Sequence, residues 1–159
     1  MAELNTEGLE ELSAAFMRHE QQADKVVEEM LKESAAEYVK AQQEAAATYG
    51  IRKTGGFISS IKASNIESDD TAKSITIAPE GRASHGADYG GGYYNKGNKR
   101  KGKAQKGNVR YATIGYIFEY GTSSIPARPW LTQGNAKAEA GAFSKAKAIW
   151  DKYVESTLT

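Results

Sequence analysis

The sequence predicts an α+β fold: a long N-terminal helix, a small antiparallel β-sheet with a mobile basic loop, and a C-terminal helix packed on the sheet. Three observations predict it. Residues 9–49 contain neither Gly nor Pro and are rich in Ala, Glu, Gln, Lys and Leu, the strong helix formers. Residues 61–79 alternate in polarity around an Asp-rich turn. After Pro129, well placed as a first helical residue, a helix-forming stretch runs to about residue 157. With 159 residues, 40% hydrophobic and 26% charged, the chain fits a single domain, 1–159. Its expected parts are the long helix 1–49, a β-rich region 50–128 with a flexible loop at about 90–108, and the C-terminal helix 129–158.

The first helix is bounded by Gly8 and by Gly50, a C-terminal stop. Apolar or small residues recur at Leu9, Leu12, Phe16, Ala23, Val26 and Met30, and the stripe then drifts to Val27, Leu31, Tyr38, Ala45 and Tyr49. Unbroken, such a helix is roughly 60 Å long. A compact chain of this length has a radius of gyration of about 15 Å. The helix therefore breaks, folds back or projects. Without a breaker, projection onto a neighbouring copy is the expectation, with Leu9, Leu12, Phe16, Val26 and Met30 as the subunit interface. An ordinary long core helix is the alternative.

The net charge of +1 conceals a division. Residues 1–49 hold eleven acids and four bases, and residues 50–159 hold nine acids and seventeen bases. This suggests contacts between copies or a mount on an anionic partner, or else simply solvated faces. There are no cysteines, which excludes disulfides, zinc–thiolate sites and cysteine nucleophiles. No apolar run suits a membrane span, and the acidic start (Glu3, Glu7, Glu10, Glu11) is unlike a secretory signal.

Residues 52–62 combine a turn with a short amphipathic segment in which Phe57, Ile58 and Ile61 keep helical spacing and Thr54 is a candidate cap. A hairpin follows. Its tip is Ser68-Asp69-Asp70 and its second strand, Ser74-Ile75-Thr76-Ile77-Ala78, is ended by Pro79. Asp69 and Asp70 fit a solvated turn better than a metal site. Residues 85–110 carry seven glycines and three tyrosines, and from Asn95 to Arg110 seven bases and no acid: Lys96, Lys99, Arg100, Lys101, Lys103, Lys106 and Arg110. Such a composition buries no core. It suits contact with DNA or with an acidic partner, or a solvated insertion.

Tyr111, Ile114, Ile117 and Phe118 keep helical spacing, although Tyr111-Ala-Thr-Ile also suits a strand. Pro126 and Pro129 stiffen the approach to the last helix around Arg128. Phe143, Ala146, Ile149, Trp150, Tyr153 and Val154 form that helix's expected apolar face. Glu119 is the expected carboxylate partner of the Arg128 fork, a clamp across the 120–127 turn, with Trp130 buried against the strands.

The string Glu119-Tyr120-Gly121-Thr122, followed by Pro126-Ala127-Arg128-Pro129-Trp130-Leu131, resembles the signature of the neck, or tail-completion, proteins of tailed phages and prophages, also called head–tail joining or minor tail components. Lys53-Thr54-Gly55-Gly56-Phe57-Ile58-Ser59-Ser60-Ile61 resembles the same family's element after its long N-terminal helix. The Gly- and Lys-rich stretch 90–108 is longer than the family's usual loop. The resemblance implies a structural virion protein, without catalysis or cofactor, that forms a homo-oligomeric ring at the neck. The partners it implies are other copies, the head connector or stopper, and the tail terminator or tail-tube proteins, with DNA passing through and assembly in the host cytoplasm. The alternative is a nucleic-acid-binding protein acting through 96–110.

Enzyme chemistry has little support. Ser84-His85 lacks a nucleophile-elbow setting. His19 lacks a second ligand at helical spacing, since Ala15 and Ala23 occupy those positions. Gly90-Gly91-Gly92 lacks the strand-to-helix setting of a dinucleotide turn.

Overall fold

The computed structural model describes residues 7–51, 55–69, 72–83 and 109–158, with side chains from Met17 onward in the first helix. The element order is α1 (Glu7–Thr48), α2 (Gly56–Ser60), β1 (Ile61–Ala63), β2 (Glu67–Ser68), β3 (Lys73–Ser74), β4 (Ile77–Pro79), α3 (Tyr111–Tyr120) and α4 (Trp130–Leu158). The α+β class holds, and helix dominates. The region expected to be rich in strands holds two helices and four short strands.

α1 runs unbroken for 42 residues, about 63 Å. Gly50 ends it, with φ +72. The Ile51 amide donates to the Ala46 carbonyl and the Gly50 amide to Ala47, both at 3.0 Å, the paired bonds of a Schellman stop. Ile51 and Ala46 are both buried beside that stop.

The placement of the C-terminal helix corrects one expectation. α4 lies antiparallel along α1, as the Gln42–Asn135, Ser34–Ala142 and His19–Tyr153 hydrogen bonds show. The chain's own C-terminal helix thus flanks α1 from His19 to its end. α4 packs on α1 and α3 and not on the strands. The buried seam is built from small residues: Ala35, Ala41, Ala45 and Ala46 on α1 with Ala138 and Ala142 on α4. At its tightest point a Cβ added to Gly134 would stand 2.7 Å from the Gln42 Cα and 3.0 Å from its backbone nitrogen. Small side chains let two backbones approach and gain dispersion contacts along their length. The expected apolar face of α4 is accordingly rotated. Ala146, Ile149, Tyr153 and Val154 are half-buried, whereas Phe143 is 72% exposed and Trp150 43% exposed. Gly134→Ala should cost about 1–3 kcal/mol by forcing the helices apart, despite alanine's better helix propensity. A thermal melt checks it, and an unchanged midpoint would mean that the seam yields freely.

Charge reinforces the seam. Lys137 pairs with Glu44 at 2.5 Å, and Lys145 with Glu37 at 2.8 Å and Glu33 at 3.5 Å. Lys73 of the hairpin reaches Glu28 at 3.0 Å and Asp24 at 3.3 Å. Part of the division between an acidic first third and a basic remainder is therefore neutralised within one chain. Hydrogen bonds from Lys145 and Lys137 hold the Glu37 and Glu44 carboxyls below the usual carboxylate range. The Glu28 and Glu37 carboxylates hold the Lys73 and Lys145 ammoniums above the usual range. The depressed carboxyls lend stability that is lost as pH falls through their folded-state values, and the raised lysines lend stability that is lost in strong base.

The hairpin forms around the expected turn. Ile61, Lys62 and Ala63 oppose Pro79, Ala78 and Ile77, and Glu67 and Ser68 oppose Ser74 and Lys73. The two ladders differ by one residue in register, so Asn65 and Ile66 together face Ile75, a bulge that splits one hairpin into two short pairs. At the tip the Asp69 carboxylate accepts the Ala72 amide at 2.7 Å. Asp70 lies outside the described residues. Gly55, with φ +73, occupies the position before α2, and no side chain caps that helix there. Thr54, the expected cap, lies outside the described residues. The core gathers where α1 ends: Ala46, Ile51, Phe57, Ile61, Ala83, Ile114, Phe118 and Trp130.

Candidate functional site

The segment 119–132 ties three helix ends together, and Glu119 is its centre. It sits on the last turn of α3 and is 6% exposed. Its carboxylate accepts the Leu131 amide at 2.7 Å, the Thr132 amide at 3.1 Å and the Thr132 hydroxyl at 2.5 Å. A helix begins with unpaired amides, usually met by a Ser, Thr, Asp or Asn side chain just ahead of it. α4 has Pro129 there, which offers no side-chain acceptor. Glu119 supplies the cap instead and sets a negative charge at the positive end of the helix dipole.

This corrects the expected clamp. Arg128 does not meet Glu119, whose oxygens are occupied by α4. The Arg128 Nη1 donates to the Tyr49 carbonyl at 3.3 Å, and its guanidinium lies 5.4 Å from the centre of the Phe118 ring. Tyr49 directly follows α1, so the cation meets the negative end of that helix. The motif thus carries two separate caps, an acid on the start of α4 and a base on the end of α1. Arg128→Lys should keep the charge but weaken the cation's contact over the Phe118 ring and its reach to the Tyr49 carbonyl, lowering stability by about 1 kcal/mol. A denaturant titration checks it, and full stability in the variant would show that charge alone suffices.

Between the caps the chain turns tightly. Gly121 has φ +73, and a Cβ there would stand 2.7 Å from the Ala127 nitrogen and 2.8 Å from the Ile125 carbonyl. Only glycine fits so close to a backbone. The Thr122 hydroxyl accepts the Ser124 and Ile125 amides at 3.3 and 3.1 Å. The Arg128 amide donates to the Phe118 carbonyl at 2.6 Å. Pro126 is exposed and Leu131 half-buried. Tyr120 is 66% exposed, its ring 4.7 Å from that of Tyr116.

Trp130 is 2% exposed. It packs between α2 and α3 rather than against the strands: its ring meets Phe57 edge-on with centroids 5.2 Å apart, and its indole N–H donates to the Gly115 carbonyl at 3.0 Å. Gly115 makes the room, since a Cβ there would stand 3.1 Å from the indole.

The other sequence candidates are dispersed. The side chains of Leu9, Leu12 and Phe16 lie outside the described residues. Val26 is half-buried and lines a cleft shared with Tyr153 of α4; Met30 is half-buried. Lys96, Lys99, Arg100, Lys101, Lys103 and Lys106 lie outside the described residues, as do Ser84 and His85. Arg110 is described and exposed, and it bridges to Arg82, so the two ends of the 84–108 stretch stand side by side. Sequence reasoning missed Thr132, Gly134, Gln42 and Asn135. The Gln42 amide donates to Asn135 at 2.8 Å, and its Oε1 is buried with no hydrogen-bond partner among the described residues. A 420 Å³ cleft beside it is lined by Leu31, Ser34, Ala35, Tyr38, Gln42, Ile75, Ile77, Leu131 and Asn135, with no acid, base or thiol among them. Among the described residues no group of three His, Cys, Asp or Glu is placed to hold a metal, and no helix is long and apolar enough to cross a membrane.

The arrangement joins helix ends. Residues 10–113 match the family described as "Bacteriophage HK97-gp10, putative tail-component". No curated protein and no solved structure gives a match. The matched stretch stops before Glu119, so the 119–131 motif lies outside it. The match spans α1, the hairpin and the start of α3, well over half of the chain, and the chain belongs to this family of phage tail components.

Proposed function

We propose that the chain is a ring-forming structural subunit of the phage neck, completing the tail and joining it to the head connector. The observation that carries this reading is the reach of α1. His19 stands opposite Tyr153, with five residues of α4 remaining and twelve of α1. α1 therefore extends about seven residues, roughly 10 Å, past the described part of α4, and this extension holds Leu9 and Leu12, with Phe16 near its base. A subunit that offers apolar positions beyond its own fold has a surface for another copy. The capped junction at 119–132 joins the end of α1 to the start of α4, a connection that suits a repeating subunit. The role is structural, in the virion, and its partners are other copies, the connector or stopper, and the tail terminator or tube.

Labelling the chain in purified particles and imaging them by electron microscopy tests the location. Label at the head-proximal end of the tail supports the neck role; label at the distal tip overturns it.

The basic residues Lys96–Arg110 fit a contact with DNA in the ring or with an acidic neighbour. Replacing Lys99, Arg100, Lys101 and Lys103 by Ser should leave the melting temperature within about 1–2 °C of the parent, since a Gly- and Lys-rich composition buries no core. It should weaken DNA retention chiefly at low salt. Equal binding by parent and variant at every salt concentration would remove the electrostatic role.

A further inference from the structure

The geometry points to the exposed face of α4 around Phe143 and Trp150 as the dock for the N-terminal turns of α1 from a second copy. This rests on the ring reading and names the two surfaces that would meet. Phe143 and Trp150 are the most exposed large apolar side chains on α4, and they are seven residues apart, so they lie on one line about 10 Å long. Tyr153 extends the patch, its ring 5.7 Å from that of Trp150. Lys147 lies on the same line, and its nearest partner is Asp151, one turn away. Phe143, Lys147 and Trp150 lie off the seam with α1, which runs along Gly134, Ala138 and Ala142, whereas Tyr153 borders it, its hydroxyl donating to the His19 carbonyl.

The occupant follows from length and charge. The part of α1 that extends past the described part of α4 and the patch are of nearly equal length. Residues 1–17 hold four acids and no base, whereas the patch is flanked by Lys147, beside Asp151, and by the exposed Lys152, Lys145 being paired with Glu33 and Glu37 across the seam. Leu9, Leu12 and Phe16 recur at the spacing of a single helical face. An amphipathic acidic helix on an aromatic patch flanked by lysine is an ordinary helix–surface recognition mode. The two surfaces differ and lie on one chain, so their pairing is head-to-tail. Head-to-tail contacts close into rings when the rotation per subunit permits, whereas a patch meeting itself stops at a dimer.

The chain has no cysteine, so disulfide mapping on the full-length protein is direct. Leu12→Cys and Lys147→Cys chains, mixed and oxidised, should give a mixed dimer, and the double variant should give a ladder of linked copies. Phe143→Ser with Trp150→Ser should weaken self-association about tenfold or more while leaving helicity and melting temperature unchanged, because both side chains are exposed. A large oligomer by light scattering without the mixed crosslink, or with crosslinks only between identical positions, overturns this docking but leaves the ring intact. A chain that stays monomeric both alone and in assembled particles overturns both.

Discussion

Trp130→Ala should lower the stability of the fold by about 3–5 kcal/mol, the usual cost of emptying a buried Trp site. For a domain of this size that is a fall of roughly 10 °C in melting temperature. The side chain is 2% exposed, fills the space above Gly115 and packs edge-on against Phe57. It links α2, α3 and the first residue of α4, so its loss opens the core where three elements converge. Trp130→Phe separates packing from hydrogen bonding. It should cost about 1–2 kcal/mol, leaving the buried Gly115 carbonyl without its indole donor. Calorimetry on the three proteins checks both values. If Trp130→Ala melts within 2 °C of the parent, the core at the junction does not carry the fold.

Glu119→Ala should cost about 2–4 kcal/mol, because three hydrogen bonds to one carboxylate disappear and two amides at the start of α4 lose their acceptor. Glu119→Gln keeps one acceptor but turns an amide donor toward other donors, and about half of that loss is expected. Amide hydrogen exchange locates the damage: protection should fall first at Leu131 and Thr132 and spread along the first turns of α4. Damage confined to the end of α1 would instead place Glu119 with Arg128, the pairing the geometry does not show.

The contrast between these residues shows what the sequence makes legible. A forty-residue stretch without Gly or Pro reads directly as α1, because helix propensity is local. The hairpin reads from alternation and its Asp turn for the same reason. The bulge that splits it does not, since one residue of slippage leaves composition unchanged. The junction motif was recognisable from Gly121, Pro126, Arg128 and Pro129, yet its bonding was not. Glu119 and Arg128 are opposite charges nine positions apart and invite pairing. Which partner each takes depends on where the ends of α1 and α4 arrive, a tertiary fact. The α1–α4 seam was missed for a related reason: apolar periodicity weights large side chains, while close helix contact selects Gly134, Ala138 and Ala142. Phe143 and Trp150, marked from the sequence as packing residues, are the ones left exposed.

The most direct test of the neck role is a joining assay. Heads and tails made in the absence of this chain are mixed with the purified protein, and joined, infectious particles are counted. Full-length chain should restore joining, and a chain lacking residues 1–16 should keep its melting temperature but fail to restore it. Heads and tails that join equally well without the chain would contradict the account.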